Sequence, residues 1–189
     1  AYEAGKWIDW VDEVMGKNGV QQNYNLSVTG GTEKTKIFAS LNYNNEEGLI
    51  KNDDRKRYSM RLNLDQSIFS WAKVGFNTNL TYTDSNSRNQ GVFVNALTFL
   101  PLGDVYDAEG NINYEYCKDG GKVNPMADEA KNQYVNNTRS TYFAGNAYLE
   151  LTPLKGLSFK SVLGTTLNNA RNGVFYGKKS IANITSGYF

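Results

Sequence analysis

The sequence contains no histidine and a single cysteine, Cys117. Without imidazole, the usual general base and the commonest metal ligand are missing, and histidine-dependent catalytic triads with them. One thiol excludes an internal disulfide and leaves the redox compartment open. Charge of either sign is in no excess: the net charge is +1 over 189 residues and the Lys and Arg are scattered, which leaves no footprint for nucleic acid. No apolar run approaches the roughly 20 residues that a membrane helix requires. The longest, GVFVNALTFLPLG from Gly91 to Gly103, is broken by Asn95 and Thr98 and meets Pro101. A helical membrane protein is therefore excluded. A membrane-crossing strand needs only about 9–11 residues, so a barrel is not.

What is present points to strands. The chain holds 24 Asn, 18 Gly and 13 Tyr, a mix suited to turns, sheets and polar-lined surfaces rather than helices. Strict alternation of apolar and polar residues, the period of a sheet with two unlike faces, marks about six strands. They run roughly from Asn23 to Thr29, Lys36 to Asn44, Tyr58 to Asp65, Ala72 to Asp84, Thr141 to Leu151 and Leu157 to Asn168. One face carries Tyr24, Leu26 and Val28, then Ile37, Leu41 and Tyr43, then Tyr58, Met60, Leu62 and Leu64, and so on to Leu167, without a charge. The other face is Asn, Ser and Thr, and it holds the charges of the strand cores.

The connections alternate as strictly. GGTEKT, SIFSW and TPLKG are short, whereas NEEGLIKNDDRKR and the stretch between the fourth and fifth strands are long. Short turns on one side and long loops on the other are the pattern of an outer-membrane barrel. Tyr24, Tyr43, Tyr58, Tyr82 and Phe143 lie on the apolar face at the long-loop ends of their strands, and Phe69 and Trp71 lie at a short turn. Rings at the edges of an apolar band suit a membrane interface, half in hydrocarbon and half among headgroups, so these five are expected to form an aromatic girdle. The competing reading is a soluble carbohydrate-binding β-sandwich, whose strands also alternate. Sandwich exteriors usually carry more Lys, Glu and Arg than this polar face does.

Between the strands, Trp7, Trp10, Val11 and Val14 share one face of a short amphipathic helix that Gly16 or Gly19 would stop. Ser85 to Ser140 is too long for plain loop, and a short helix ending near Pro101 and a hairpin around Glu109, Gly110 and Asn111 are expected inside it. The aspartate of VYDAEGN fits a turn better than a calcium loop, because the ligand spacing of an EF-hand is missing. Adjacent carboxylates such as Glu46 and Glu47 read as solvated charge rather than as a tuned acid–base pair. No catalytic, cofactor or metal site is expected, and the chain does not read as an enzyme.

The stretch NYNLSVTGGTEKTKIFASLNYNNEEGLIKNDDRKRYSMRLNLDQ resembles the SusC/RagA-like TonB-dependent outer-membrane transporters. The resemblance rests on Asn25-Leu26-Ser27-Val28 with Gly30-Gly31, on Tyr43 with Glu47-Gly48, and on Arg57-Tyr58-Ser59 with Arg61-Leu62-Asn63-Leu64-Asp65. WAKVGFNTNLTYT, DVYDAEGN, NPMA and GNAYLELTPLKGLSFKSVLG extend it to nearly the whole chain.

The resemblance implies an all-β fold, an antiparallel transmembrane barrel of which these are early strands, in a plugged barrel of about 22. Such transporters sit in the outer membrane of a Gram-negative bacterium, in its lipid. They take up glycan fragments or peptides together with a SusD-like surface lipoprotein, and they are driven by the TonB complex. The expected division is an extracellular loop with the short helix over 1–22 and four barrel strands over 23–84. A long extracellular loop over 85–140, two strands over 141–170 and the start of another loop over 171–189 follow. The plug has no counterpart in this stretch, and six strands cannot close a barrel, so a fragment is expected. Tyr106, Tyr114, Tyr116 and Tyr134 are the candidates to touch substrate or partner, because sugar rings stack on flat apolar faces.

Overall fold

The alternation resolves into one antiparallel sheet in strict chain order. A computed structural model of the protein describes residues 7–16, 18–89, 91–114 and 123–187. Its strands are β1 (Val20–Gly31), β2 (Thr35–Glu47), β3 (Asp54–Phe69), β4 (Ala72–Asn86), β5 (Tyr134–Leu154) and β6 (Leu157–Tyr176), ordered β1-β2-β3-β4-β5-β6. No second sheet packs on the first among the described residues, which removes the sandwich. The fold is that of a partial barrel wall.

The three short connections are tight because their chemistry fits. Between β1 and β2 the Thr32 hydroxyl accepts the amides of Lys34 at 3.2 Å and Thr35 at 3.1 Å, closing the turn locally. Gly156, with φ at 86°, supplies the left-handed residue that the Lys155–Gly156 turn between β5 and β6 requires. The ladder slips at Ser67/Phe69 beside the β3–β4 turn and at Leu151/Leu154 beside the β5–β6 turn.

The strands run further than the alternation marks. β5 begins at Tyr134 rather than near Thr141, and β6 continues to Tyr176 rather than ending near Asn168. The added rungs pair Asn137 with Gly173, Thr138 with Asn172 and Arg139 with Arg171. Both faces are polar over these three rungs, so the period-two signal breaks there, although the backbone ladder continues to Val135 opposite Phe175 and Tyr134 opposite Tyr176. At 21 and 20 residues these strands are about twice what a bilayer crossing uses.

At the long-connection end the segments fold into a small helical cap. It contains α1 (Trp10–Met15), α2 (Gly91–Thr98), a 3-10 turn (Pro125–Glu129) and α3 (Ile181–Ser186). Asp9 caps α1 by accepting the amides of Val11 and Asp12, and Gly16, at φ 62°, ends it. The expected one-face pattern is half realised: Trp10 and Val14 are buried, and Trp7 is exposed. The Trp10 indole nitrogen donates to the Leu100 carbonyl at 2.8 Å, and its ring meets Phe99 edge-on. Val92 and Ala96 of α2, Met126 and Ala127 of the 3-10 turn and Ile181 of α3 complete this core.

Among the described residues, the buried apolar side chains lie in the cap, Ala72 at the foot of β4 excepted. The apolar face of the sheet is bare instead, with Leu26 at 66% and Leu163 at 80% exposure. A continuous bare face of this size belongs against another apolar phase. Among the described residues no helix is long and apolar enough to cross a membrane, a statement that does not bear on strands.

Candidate functional site

The bare face has an aromatic edge. Tyr24 opposes Tyr43, Tyr43 opposes Tyr58 and Tyr58 opposes Tyr82, so four strands place one phenol each in a single register row. Successive ring centroids lie 6.2, 5.0 and 6.3 Å apart, the spacing of contacting rings. In β5 that row is taken by Thr141, and Phe143 stands one rung nearer the short turns, opposite Leu80. Phe69 and Trp71 stack at 5.3 Å at the opposite end of the sheet, beside the β3–β4 turn.

The other face is lined by amides and hydroxyls that bond across strands. Asn42 donates to Asn23 at 2.7 Å and Asn77 to Asn146 at 3.0 Å. Nine charges share this face: the cations Lys36, Arg55, Arg57, Arg61, Lys73 and Lys160 and the carboxylates Glu46, Asp65 and Glu150. Glu46 pairs with Arg55 and lies 4.0 Å from Arg57, and Lys160 lies 3.7 Å from Glu150. The Tyr148 hydroxyl donates to Asp65 at 2.7 Å, its ring crossing the space above Gly75, and the Lys160 ammonium stands 4.5 Å from that ring.

In the cap, the loop tyrosines are dispersed. Tyr106 opens the expected hairpin, bridging to Ile112, and the residue is 43% exposed. The turn itself is closed by Asp107, whose Oδ1 accepts the amides of Glu109 at 3.1 Å and Asn111 at 2.7 Å. That carboxylate is therefore engaged in an Asx turn. Tyr114 packs on the cap core with the Lys179 ammonium 4.7 Å from its ring, and Tyr134 meets Tyr176 at 5.5 Å and the Arg88 guanidinium at 5.2 Å. None of the three rings stacks on another. Desolvation pushes the hydroxyls of Tyr106 and Tyr114 above their ordinary value, reinforced at Tyr106 by Glu13 and Glu129 and at Tyr114 by Asp128. Tyr116 and Cys117 lie outside the described residues.

Two buried polar nodes tie the long connections together. Arg88, just after β4, pairs with Glu129 of the 3-10 turn, and Asn52 of the β2–β3 loop donates to the same carboxylate. Asp128, 1% exposed, accepts the Ile181 amide at 2.8 Å. Burial pushes both carboxylates up, more than Ile181, Arg88 and their other partners pull them down. Asn124, fully buried, caps the 3-10 turn through the Met126 amide at 2.8 Å and donates to the carbonyls of Val105 at 3.1 Å and Asn113 at 2.9 Å.

Sequence reasoning missed the Arg88–Glu129–Asp128 node and the Tyr148–Gly75 crossing, because their partners lie 41 to 83 residues apart in the chain, and it missed the Asn124 node although its partners lie only 2 to 19 residues away. One local signal was available. Asn followed by Pro in NPMA is the signature of a capped helical turn.

No family model matches the chain. A TonB-dependent receptor, P26, of Formosa agariphila is 30% identical over 91% of this chain and 17% of its own length. The TonB-dependent receptor SusC of Bacteroides thetaiotaomicron is 27% identical over 53% of this chain and 10% of its own length. Among solved structures, the RagAB peptide importer in its closed-closed state matches 90% of this chain and 20% of that one, with 25% identity and a TM-score of 0.73. Its open-open state matches with the same TM-score of 0.73 at 24% identity, so the shared fold is equally present in both states. The likeness to the SusC/RagA-like TonB-dependent transporters thus extends along the chain, and it is a likeness to a segment. The chain spans about 17% of the length of the curated relatives that it matches over most of its own length.

Proposed function

We propose that this chain, homologous to one stretch of the SusC/RagA-like TonB-dependent transporters, builds wall and external loops of an outer-membrane importer of oligosaccharides or peptides. The observation that carries the reading is the two-faced sheet, bare and apolar on one side with a tyrosine row at its edge, amide-lined on the other. The apolar face meets lipid of the outer membrane of a Gram-negative bacterium, and the tyrosine row with Phe143 lies at the outer interface. The polar face then lines the lumen, and the cap stands outside the cell. A SusD-like surface lipoprotein partners the transporter and the TonB complex drives it, both engaging parts of the polypeptide beyond this stretch or its cap.

Within the cap, Tyr106 is the ring best placed to meet a sugar or peptide, because Tyr114 and Tyr134 already face Lys179 and Arg88. Tyr116 remains a candidate by sequence alone. The relatives carry the names of receptors and transporters, not enzymes.

The test is the denatured mass of the polypeptide containing this stretch, taken from the outer-membrane fraction. A product several times larger than 21.2 kDa, heat-modifiable and lost from no detergent-free wash, is expected. A 21.2-kDa product that stays soluble without detergent would overturn the reading.

A further inference from the structure

The lumen-facing charges are unevenly matched, and one stands alone. Glu46 serves Arg55 and Arg57 near the cap, and Glu150 serves Lys160 near the short turns. Lys36 opposes Asp65, and Lys73 opposes Glu150. Arg61, midway between these groups, has no such neighbour. Its register row reads Ser27, Ser40, Arg61, Asn79, Ala144, Thr166 across all six strands. The rows on either side, through Ser59 and Asn63, carry no carboxylate. Among the described residues Arg61 makes no ion pair or side-chain hydrogen bond.

The surface beside it is shaped to admit a ligand. Arg61, Asn77, Asn79, Asn146, Ala144 and Gly164 line a shallow, open depression of about 570 Å³. A guanidinium presents paired N–H donors that match a carboxylate fork, whereas neutral amides offer donors and acceptors to the atoms around it. A cation in an otherwise uncharged amide field discriminates by charge, and the six-to-three excess of cations on this face draws anions towards it.

We propose that Arg61 and the amides around it form a binding site on the lumen wall for a carboxylate carried by the cargo, such as an acidic peptide side chain. The site rests on the importer reading above and narrows it to anionic cargo. A carboxylate from elsewhere in the same polypeptide is the competing occupant, and the favoured one is cargo because amide and hydroxyl groups surround the cation on every side.

The experiment uses the full-length transporter in its own outer membrane, with its partners present. Energised uptake of a fluorescent glutamate-rich peptide is compared with that of its glutamine counterpart, in cells carrying wild type, R61Q, R61K or R61E, with and without TonB. The wild type should take up the acidic peptide at least about tenfold faster, R61Q should erase that preference, R61K should keep part of it, and R61E should reverse it. Uptake of the acidic peptide that is indifferent to TonB overturns the importer reading itself. TonB-dependent uptake without acidic preference in the wild type, or a preference that survives in R61Q, overturns the inference alone. Equal loss of both peptides in R61Q with normal protein levels assigns the arginine to a carboxylate of the polypeptide, and also overturns it.

Discussion

The phenol of Tyr148 lies over Gly75, its register partner on β4, and reaches past it to hydrogen-bond Asp65 on β3. A side chain at position 75 would collide with that ring, so the glycine is the space through which one side chain fastens three strands. Gly75→Ala should therefore destabilise the barrel by about 1–3 kcal/mol, the range for overpacking. Tyr148→Phe should cost about 1 kcal/mol by removing the hydrogen bond. Urea unfolding of the full-length protein in vesicles measures both, and the double variant Gly75→Ala/Tyr148→Ala is the decisive arm. If alanine at 75 costs as much without the tyrosine as with it, the two residues are not coupled.

Adjacent residues should tolerate charge very differently. Leu62 points to the apolar face and Asn63 to the amide-lined one. An arginine on a lipid-facing position near mid-membrane costs about 2–4 kcal/mol, whereas a lumen-facing one stays hydrated. Leu62→Arg should thus depress assembly and stability by that amount and Asn63→Arg by little. Equal effects of the two would remove the assignment of faces.

The cap should become firmer in mild acid. The folded state holds the Asp128 carboxyl above its ordinary value of 3.8, chiefly by burial, so the folded protein binds a proton where the unfolded chain has lost one. Stability of the cap therefore falls as pH rises through that raised value, and returns on acidification down to the ordinary value. Glu129 shifts in the same direction, above 4.5, so the two act together. Hydrogen exchange at the Ile181 amide, which donates to Asp128, should slow as pH drops through this window once the intrinsic rate is removed. Asp128→Asn should make the dependence shallower. A slope of the opposite sign would falsify the argument.

Removing the other node should loosen the cap and leave the barrel alone. Asn124→Ala deletes the cap of the 3-10 turn and strips the carbonyls of Val105 and Asn113 of a donor. The local loss should be roughly 2–3 kcal/mol. Limited proteolysis of intact cells should then cut within 91–114 in the variant and not in the wild type, with the heat-modifiable barrel band unchanged. A variant that fails to assemble at all would show that the cap and the sheet are one cooperative unit.

The sheet was legible because a strand with unlike faces writes its period directly into the chain. Tyr24 to Val28 against Ile37 to Tyr43 needs no distant information to be read. The polar rungs at Asn137 and Arg139 escaped because alternation carries no signal where both faces are wet. The cap escaped for a different reason. Trp10 and Val14 declare one helical face, but nothing local says that α2 and the 3-10 turn will cover it. Arg88, Asp128 and Glu129 look in sequence like any solvated loop charges, and only the fold withdraws them from water. Gly75 and Tyr148 likewise read as ordinary strand residues until the register places them opposite each other.

The strict chain order of the ladder has a kinetic consequence. Three of its five seams, β1–β2, β3–β4 and β5–β6, join strands across two or three turn residues, and such hairpins form in about 1–10 μs. The β2–β3 seam must close only the short loop from Gly48 to Asp53. The β4–β5 seam alone must draw together ends separated by everything from residue 87 to 133, and the entropy of that closure grows with the length enclosed. The Arg88–Glu129 pair, Asn124 and α2 all lie inside this interval and shorten the free chain once the cap has folded. Folding of the part of the cap between β4 and β5 should then set the pace at which β5 and β6 zip onto the four strands before them, which makes that segment a timer for assembly as well as a part of the finished wall.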